Sequence, residues 1–99
     1  MKKESDFQSS IIYEIKQRLP GAVVTKLDAR LIQGIPDLLI LYKDRWALLE
    51  VKRSKDAPHR PNQNYYVEKM NNMSFSAFIF PENKEEVLND LQRALESGR

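Results

Sequence analysis

The sequence contains no cysteine and a single histidine, His59. The missing cysteine excludes disulfide bonds, thiolate zinc sites and cysteine nucleophiles, and it is compatible with a reducing environment. One histidine cannot supply a histidine-rich zinc centre. We expect His59, in a loop rich in proline and basic residues, to contact phosphate or solvent rather than metal. Any catalytic metal in this chain must therefore be bound through oxygen ligands.

Long apolar runs are also missing. No stretch approaches the roughly 20 apolar residues that span a bilayer, and the first ten residues lack the apolar core of a secretion signal. We therefore expect a cytoplasmic protein with no membrane partner. The 99 residues are 41% hydrophobic and 30% charged, which suits one compact soluble domain. No linker or repeat divides them, so we predict a single domain over residues 1–99 with its core at about 6–96.

The net charge of +2 is too small to indicate a nucleic-acid partner. Its distribution is more informative, because residues 51–61 (VKRSKDAPHRP) are locally basic. In this stretch Arg53, Lys55 and Arg60 are candidates for contact with phosphate. A solvated loop with no partner is the alternative interpretation.

Hydrophobic periodicity predicts alternating helices and strands. Ser5 and Gln8 form a capping-box pattern, and Phe7, Ile11 and later apolar residues at spacings of four predict a helix at about 6–19. A second helix is expected at about 61–71, and Asn83 with Glu86 signals a third. Strands are predicted at 22–28, 37–43, 46–52 and 74–80. The order αβββαβα predicts an α/β domain with a mixed sheet flanked by helices.

Charged residues interrupt the central predicted hairpin. With a turn centred on Asp44-Arg45, Asp37 lies opposite Lys52 and Leu39 opposite Glu50. Paired residues share a face of a sheet, and so do residues two apart on one strand. The sequence therefore predicts that Asp37, Glu50 and Lys52 converge on one patch.

This combination of residues suits phosphodiester hydrolysis. Two close carboxylates repel each other unless a cation joins them, and Mg²⁺ prefers oxygen ligands. Asp37 and Glu50 are thus candidate magnesium ligands, while Lys52 would orient the attacking water and stabilise the charged transition state. A bare Asp…Glu-x-Lys pattern is common by chance, however, and such residues are often only strand edges and turns.

The surrounding residues add a family resemblance. Residues 34–37 (GIPD) and 50–52 (EVK) resemble the two halves of the PD-(D/E)XK nuclease signature, and residues 63–66 (QNYY) resemble the Gln-x-x-Tyr motif of several branches. Over about residues 8–80 the chain looks most like stand-alone virus-type replication-repair nuclease (VRR-Nuc) domains of phages and bacteria. Met73-Ser74 departs from that pattern, because relatives often have a glycine there. The resemblance implies a restriction-endonuclease-like fold.

The resemblance also implies individual roles. Asp37, Glu50 and the carbonyl of Val51 would bind metal, with Lys52 as the catalytic lysine. Glu14 matches an additional carboxylate that binds metal through water in many members, although a solvent-facing helix residue is an equal alternative. Gln63 would lie by the scissile phosphate. Tyr66, one turn later, would contact nucleic acid or pack in the core.

The expected activity is a metal-dependent, structure-specific DNA endonuclease that uses Mg²⁺, with Mn²⁺ as a substitute, and no small-molecule cofactor. Small stand-alone relatives suggest DNA repair in a bacterial or phage-infected cell, with a homodimer resolving four-way (Holliday) junctions. The alternatives are a flap or single-strand nuclease, a non-catalytic DNA-binding subunit, and a structural α/β protein. The candidates for the dimer surface are four aromatic residues, some of which must point away from the core if their strands alternate: Trp46, Phe75, Phe78 and Phe80.

Overall fold

The computed structural model describes residues 3–97 and shows the predicted α/β architecture with a mixed sheet. Its sheet contains four strands, and a short 3-10 helix that the sequence did not predict precedes the last helix. In chain order the elements are α1 (Glu4–Arg18), β1 (Val23–Lys26), β2 (Leu38–Tyr42), β3 (Arg45–Val51), α2 (Gln63–Met73), β4 (Phe75–Ile79), the 3-10 helix (Pro81–Asn83) and α3 (Lys84–Ser97).

The strands lie side by side in the order of the sequence. β1 pairs with β2 and β2 with β3 in antiparallel fashion, whereas β3 and β4 are parallel because α2 crosses between them. Side chains alternate along β3, so Leu49 and Val51 face α1 and α3, while Leu48 and Glu50 face the side that α2 covers. The sheet is therefore covered by helices on both faces.

The main core lies between the sheet and the pair of helices α1 and α3. The apolar stripe predicted for the first helix is buried there, as is the predicted apolar face of the last helix. Burying one such aliphatic side chain contributes about 1.5–3 kcal/mol. The core residues of this cluster are Phe7, Ile11, Ile15, Leu19, Leu38, Ile40, Ala47, Leu49, Val51, Phe75, Ile79, Val87, Leu88, Leu91, Ala94 and Leu95.

Burial in this core corrects one part of the predicted dimer surface. Phe75 faces α3 from the start of β4 and is almost fully buried, so it is not available to a second subunit. Phe78, on the opposite face of the same strand, stacks on the His59 ring. Trp46 and Phe80 are half-buried.

The hairpin register differs by two residues from the prediction. Tyr42 pairs with Arg45, so the turn consists of Lys43 and Asp44, and Leu39 lies opposite Leu48 rather than Glu50. Lys43 adopts φ 57°, a left-handed conformation that a lysine side chain rarely favours and that the sequence did not signal. A slip of two residues leaves every side chain on its predicted face. The convergence of Asp37, Glu50 and Lys52 on one side of the sheet is therefore unaffected.

Helix starts also differ from the predictions. α1 begins at Glu4 after the N-cap residue Lys3, so the expected capping box at Ser5 is not formed; acidic residues in the first turn favour this earlier start. α2 begins at Gln63, two residues after Pro61. The start of α3 directly after Asn83 agrees with the prediction, but the Asn83 side chain accepts a hydrogen bond from the Phe80 amide of the 3-10 helix. Within residues 3–97, no helix is long and apolar enough to cross a membrane.

Candidate active site

A cleft of about 530 Å³ opens beside the carboxyl end of β3. Its walls come from the first residues of α1, the first residue of α2 and the loop at 53–61. The four residues predicted to be catalytic all line it: Asp37, Glu50, Lys52 and Gln63. The remaining lining residues are Lys3, Glu4, Arg53, Ala57, Pro58 and Arg60.

Asp37 is held at the cleft wall by two backbone contacts. Its carbonyl accepts a hydrogen bond from the Leu27 amide at 2.8 Å, and its side-chain Oδ2 accepts one from the Val51 amide at 3.1 Å. The preceding residue, Pro36, is fully buried and fixes the chain entering β2. These contacts fix the Asp37 carboxylate against the end of β3, although the side chain itself is only half-buried.

The Glu50 carboxyl group lies in a buried environment that disfavours its ionised form. Only 2% of the residue is exposed, and burial together with the nearby Asp37 charge raises the pKa of Glu50 to about 8. Glu4 adds to this rise, whereas the Lys52 charge opposes it. One carboxyl oxygen, Oε2, accepts a hydrogen bond from Gln63 at 3.0 Å. The other, Oε1, is buried and accepts no hydrogen bond among residues 3–97, while a side-chain hydrogen bond with Asp37 further favours the protonated form of Glu50. A buried polar atom of this kind is costly unless a ligand satisfies it.

Lys52 places a buried ammonium group next to the two carboxyls. It follows the last residue of β3, and its amide donates to the Ile79 carbonyl on β4 at 2.9 Å. Its side chain is almost fully buried, and Nζ donates to the Pro58 carbonyl at 3.0 Å. The loop therefore holds the ammonium group inside the cleft, beside the two carboxyl groups.

The loop at 53–61 is fastened to the sheet at several points. The His59 ring stacks on Phe78 with centroids 4.1 Å apart, and the Lys55 amide donates to the Glu82 carboxylate at 3.2 Å. His59 thus packs against an aromatic side chain and lies near the Asn64 amide oxygen. The same loop presents Arg53 and Arg60, both exposed, to the cleft.

Gln63 uses both ends of its side-chain amide. Nε2 donates to Glu50, while Oε1 accepts from the Arg60 amide at 2.8 Å. Asn62, immediately before it, adopts φ 71° and packs against Gly34, whose own φ is 92°. A Cβ added at Gly34 would lie 2.6 Å from the Asn62 Cβ. The glycine of the GIPD segment is therefore what allows α2 to approach closely enough for Gln63 to reach Glu50.

Four predicted site residues do not line the cleft. Val51 follows Glu50 on β3, and its side chain is fully buried in the core on the other face of the sheet. Glu14 instead forms an ion pair with Lys84 of α3 at 2.8 Å. Tyr66 is half-buried and meets Tyr65 edge-on, with ring centroids 4.9 Å apart. Lys55 belongs to the fastened loop, but it is also absent from the lining.

The sequence missed two residues at the start of α1. Lys3 and Glu4 line the cleft, and Glu4 contributes to the high pKa of Glu50. Glu4 and Glu14 are ten residues apart, about 15 Å along a helix axis, so only one of them can reach the cleft. The sequence did not indicate the earlier start of α1, because the predicted helix began after Lys3 and Glu4.

The donor set fits a magnesium ion held by few protein ligands. Across residues 3–97, no group of three or more Asp, Glu, His or Cys residues is arranged to hold a metal ion. The cleft instead offers the pair Asp37 and Glu50, with an unsatisfied oxygen on Glu50. Mg²⁺ is commonly bound by one or two carboxylates, with water and substrate phosphate completing its coordination. A cation here would also relieve the repulsion between the two carboxyls.

Comparison with known proteins gives no independent assignment. No protein-family model, curated protein or solved structure matches the chain. The residues of the cleft are therefore the basis for assigning a function.

Proposed function

We propose that this protein is a metal-dependent nuclease of the PD-(D/E)XK type that hydrolyses DNA phosphodiester bonds. The observation that carries the proposal is the meeting of Asp37, Glu50 and Lys52 in one cleft, with Glu50 buried and one of its oxygens unsatisfied. A purely structural hairpin would gain nothing from this arrangement. Burying carboxyl groups beside each other destabilises the fold unless a ligand compensates.

Each residue has a distinct role in this proposal. Asp37 and Glu50 would hold Mg²⁺ or Mn²⁺, and the Val51 carbonyl is a further candidate ligand. The bound ion would supply positive charge at the phosphate and at the attacking water. Gln63 orients the Glu50 carboxylate through its amide, so in this chain it acts as a positioning residue.

Lys52 is the proposed catalytic lysine. Its ammonium group, held by the Pro58 carbonyl, lies in the same cleft as the carboxyls and would orient the water and stabilise the charge that develops on the phosphate. Nucleic acid would enter past Arg53 and Arg60, which line the cleft and are exposed. Both guanidinium groups suit phosphate recognition.

We propose further that the working unit is a cytoplasmic homodimer that resolves four-way junctions. A junction has two-fold symmetry, and a two-fold dimer would present one cleft to each of two strands. Val23, Leu41 and Trp46 support a dimer surface, since they lie side by side across three strands on one face of the sheet. Val23 and Leu41 are exposed there. A flap or single-strand nuclease is the alternative within the same class.

The test is cleavage of end-labelled linear, flap, fork and four-way DNAs in buffers with Mg²⁺, Mn²⁺ or EDTA. The proposal predicts metal-dependent cutting, with the four-way junction preferred, and no cutting in EDTA. Full activity in excess EDTA would refute the metal-dependent mechanism. Cutting of flaps with intact four-way junctions, by a protein that light scattering shows to be a monomer, would favour the flap nuclease. Tight binding without cleavage under any metal would favour a non-catalytic DNA-binding subunit.

A further inference from the structure

Two segments that approach the cleft carry exposed apolar side chains, the loop between β1 and β2 and the first turn of α2. Leu31 is 86% exposed and Ile32 is 44% exposed, both in the loop between β1 and β2. Tyr65, in the first turn of α2, is 58% exposed. We call Leu31, Ile32 and Tyr65 the apolar rim.

The loop that carries Leu31 and Ile32 is held in place locally. The Asp28 carboxylate accepts hydrogen bonds from the Arg30 amide and guanidinium, at distances between 2.9 and 3.1 Å. Backbone hydrogen bonds join Leu31 to Asp28 and Ile35 to Ile32, both at 3.1 Å. Ile35 is buried at the end of the loop. The loop thus presents its aliphatic side chains to solvent in a defined turn.

The close approach of Gly34 and Asn62 brings this loop to the cleft. Ile32 is two residues from Gly34, a span of at most about 7 Å, and Asn62 directly precedes the cleft residue Gln63. Tyr65 lies in the first turn of α2, two residues after the cleft residue Gln63. The path from Ile32 through Gly34 and Asn62 to Gln63 is at most about 16 Å long, which is about five nucleotides at roughly 3.4 Å of helix axis per nucleotide of a strand.

We propose that the apolar rim holds an unpaired or unstacked DNA base beside the phosphate bound in the cleft. Aromatic side chains stack on bases of any sequence, and leucine or isoleucine side chains insert between bases that have been pulled apart. The charge of the cleft favours a polyanion over a protein partner, since its four basic residues outnumber its three carboxyl groups and two of the basic residues, Arg53 and Arg60, are exposed. The rim would select DNA with a branch or a frayed end, where bases are already free. This inference rests on the proposed function and adds the feature of the DNA that the protein would recognise, an unpaired or unstacked base.

Binding in EDTA separates this inference from catalysis. The probes are a fully paired duplex and a flap of the same length with 2-aminopurine at the first unpaired position. We expect the wild-type protein to prefer the flap and to change the 2-aminopurine fluorescence. The double variant Leu31→Ser/Ile32→Ser should bind the flap about 5- to 100-fold more weakly and leave duplex binding nearly unchanged.

The matched control is Tyr13→Ser/Met73→Ser, which removes two exposed apolar side chains outside both the rim and the proposed dimer surface. It should keep the flap preference, and thermal unfolding should show both double variants folded. Equal loss of flap and duplex binding in the rim variant, or an unchanged flap preference, would overturn the inference. A change in oligomeric state with unchanged DNA binding would assign the rim to self-association and would also overturn it.

The two hypotheses fail in different ways. Wild-type protein that prefers flaps through the rim but cuts no DNA would refute the nuclease and leave the base-binding rim in place. Wild-type protein that cuts DNA while the rim variant discriminates normally would refute the rim alone.

Discussion

Replacing Glu50 with glutamine tests whether the cleft stores unfavourable electrostatic energy. In the folded protein the pKa of Glu50 is raised from 4.5 to about 8 by burial and by the Asp37 charge. The folded state therefore keeps a proton that the unfolded chain has already released, so stability falls as pH rises between about 4.5 and 8. From pH 6 to pH 8 the loss from this one group is about 2 kcal/mol, or roughly 8–16 °C in Tm for a domain of this size.

The assay is urea unfolding at several pH values in EDTA. The wild-type protein should lose stability across this window, and Glu50→Gln should remove most of the slope because glutamine stays neutral. Glu86→Gln, on the exposed side of α3, is the matched control and should keep the slope. Adding Mg²⁺ should stabilise the wild-type protein more at pH 8 than at pH 6, since the cation favours the ionised carboxylate. A flat wild-type profile, or an unchanged slope in Glu50→Gln, would refute the reasoning.

Three further predictions concern the supports of the cleft and its partners. Gly34→Ala should cost about 1–3 kcal/mol more than Gly21→Ala in urea unfolding, because both glycines have φ 92° but only Gly34 has a close neighbour; equal losses would contradict the close packing against α2. Neutralising Arg53, Lys55 and Arg60 together should weaken all DNA substrates alike and reduce the slope of log K against log salt by about 2–3 in binding titrations; a substrate-selective loss would assign them to recognition instead. Calcium should support DNA binding but little cutting in gel assays, because its looser coordination positions the attacking water poorly; cutting at the magnesium rate would contradict this.

Periodicity was enough to predict the elements that form the core. The stripe of Phe7, Ile11 and Ile15 is buried, and the predicted face of α3 packs against the same side of the sheet. Side-chain alternation also placed Glu50 and Lys52 on one side of β3, and the two-residue error in register did no harm because it preserves the face. Local patterns therefore predicted the fold class and the meeting of Asp37, Glu50 and Lys52 in the candidate cleft.

What the sequence did not predict depends on contacts between distant segments. Lys3 and Glu4 reach the cleft because α1 starts two residues earlier than its capping pattern suggested. Glu14 is paired with Lys84, 70 residues away, which no local pattern indicates. The role of Gly34 could not be predicted either, because Asn62 is distant in sequence and contacts Gly34 only when α2 packs onto the sheet.

The measurement that tests the central claim most directly compares DNA cleavage by the wild-type protein, Lys52→Ala and the matched control Lys16→Ala, each with Mg²⁺ and with EDTA. Lys16 is an exposed lysine on α1 and is not among the residues that line the cleft. The account predicts magnesium-dependent cutting by the wild-type and Lys16→Ala proteins. It predicts no detectable cutting by Lys52→Ala, with much of the DNA affinity retained. Normal cutting by Lys52→Ala would contradict the assigned site.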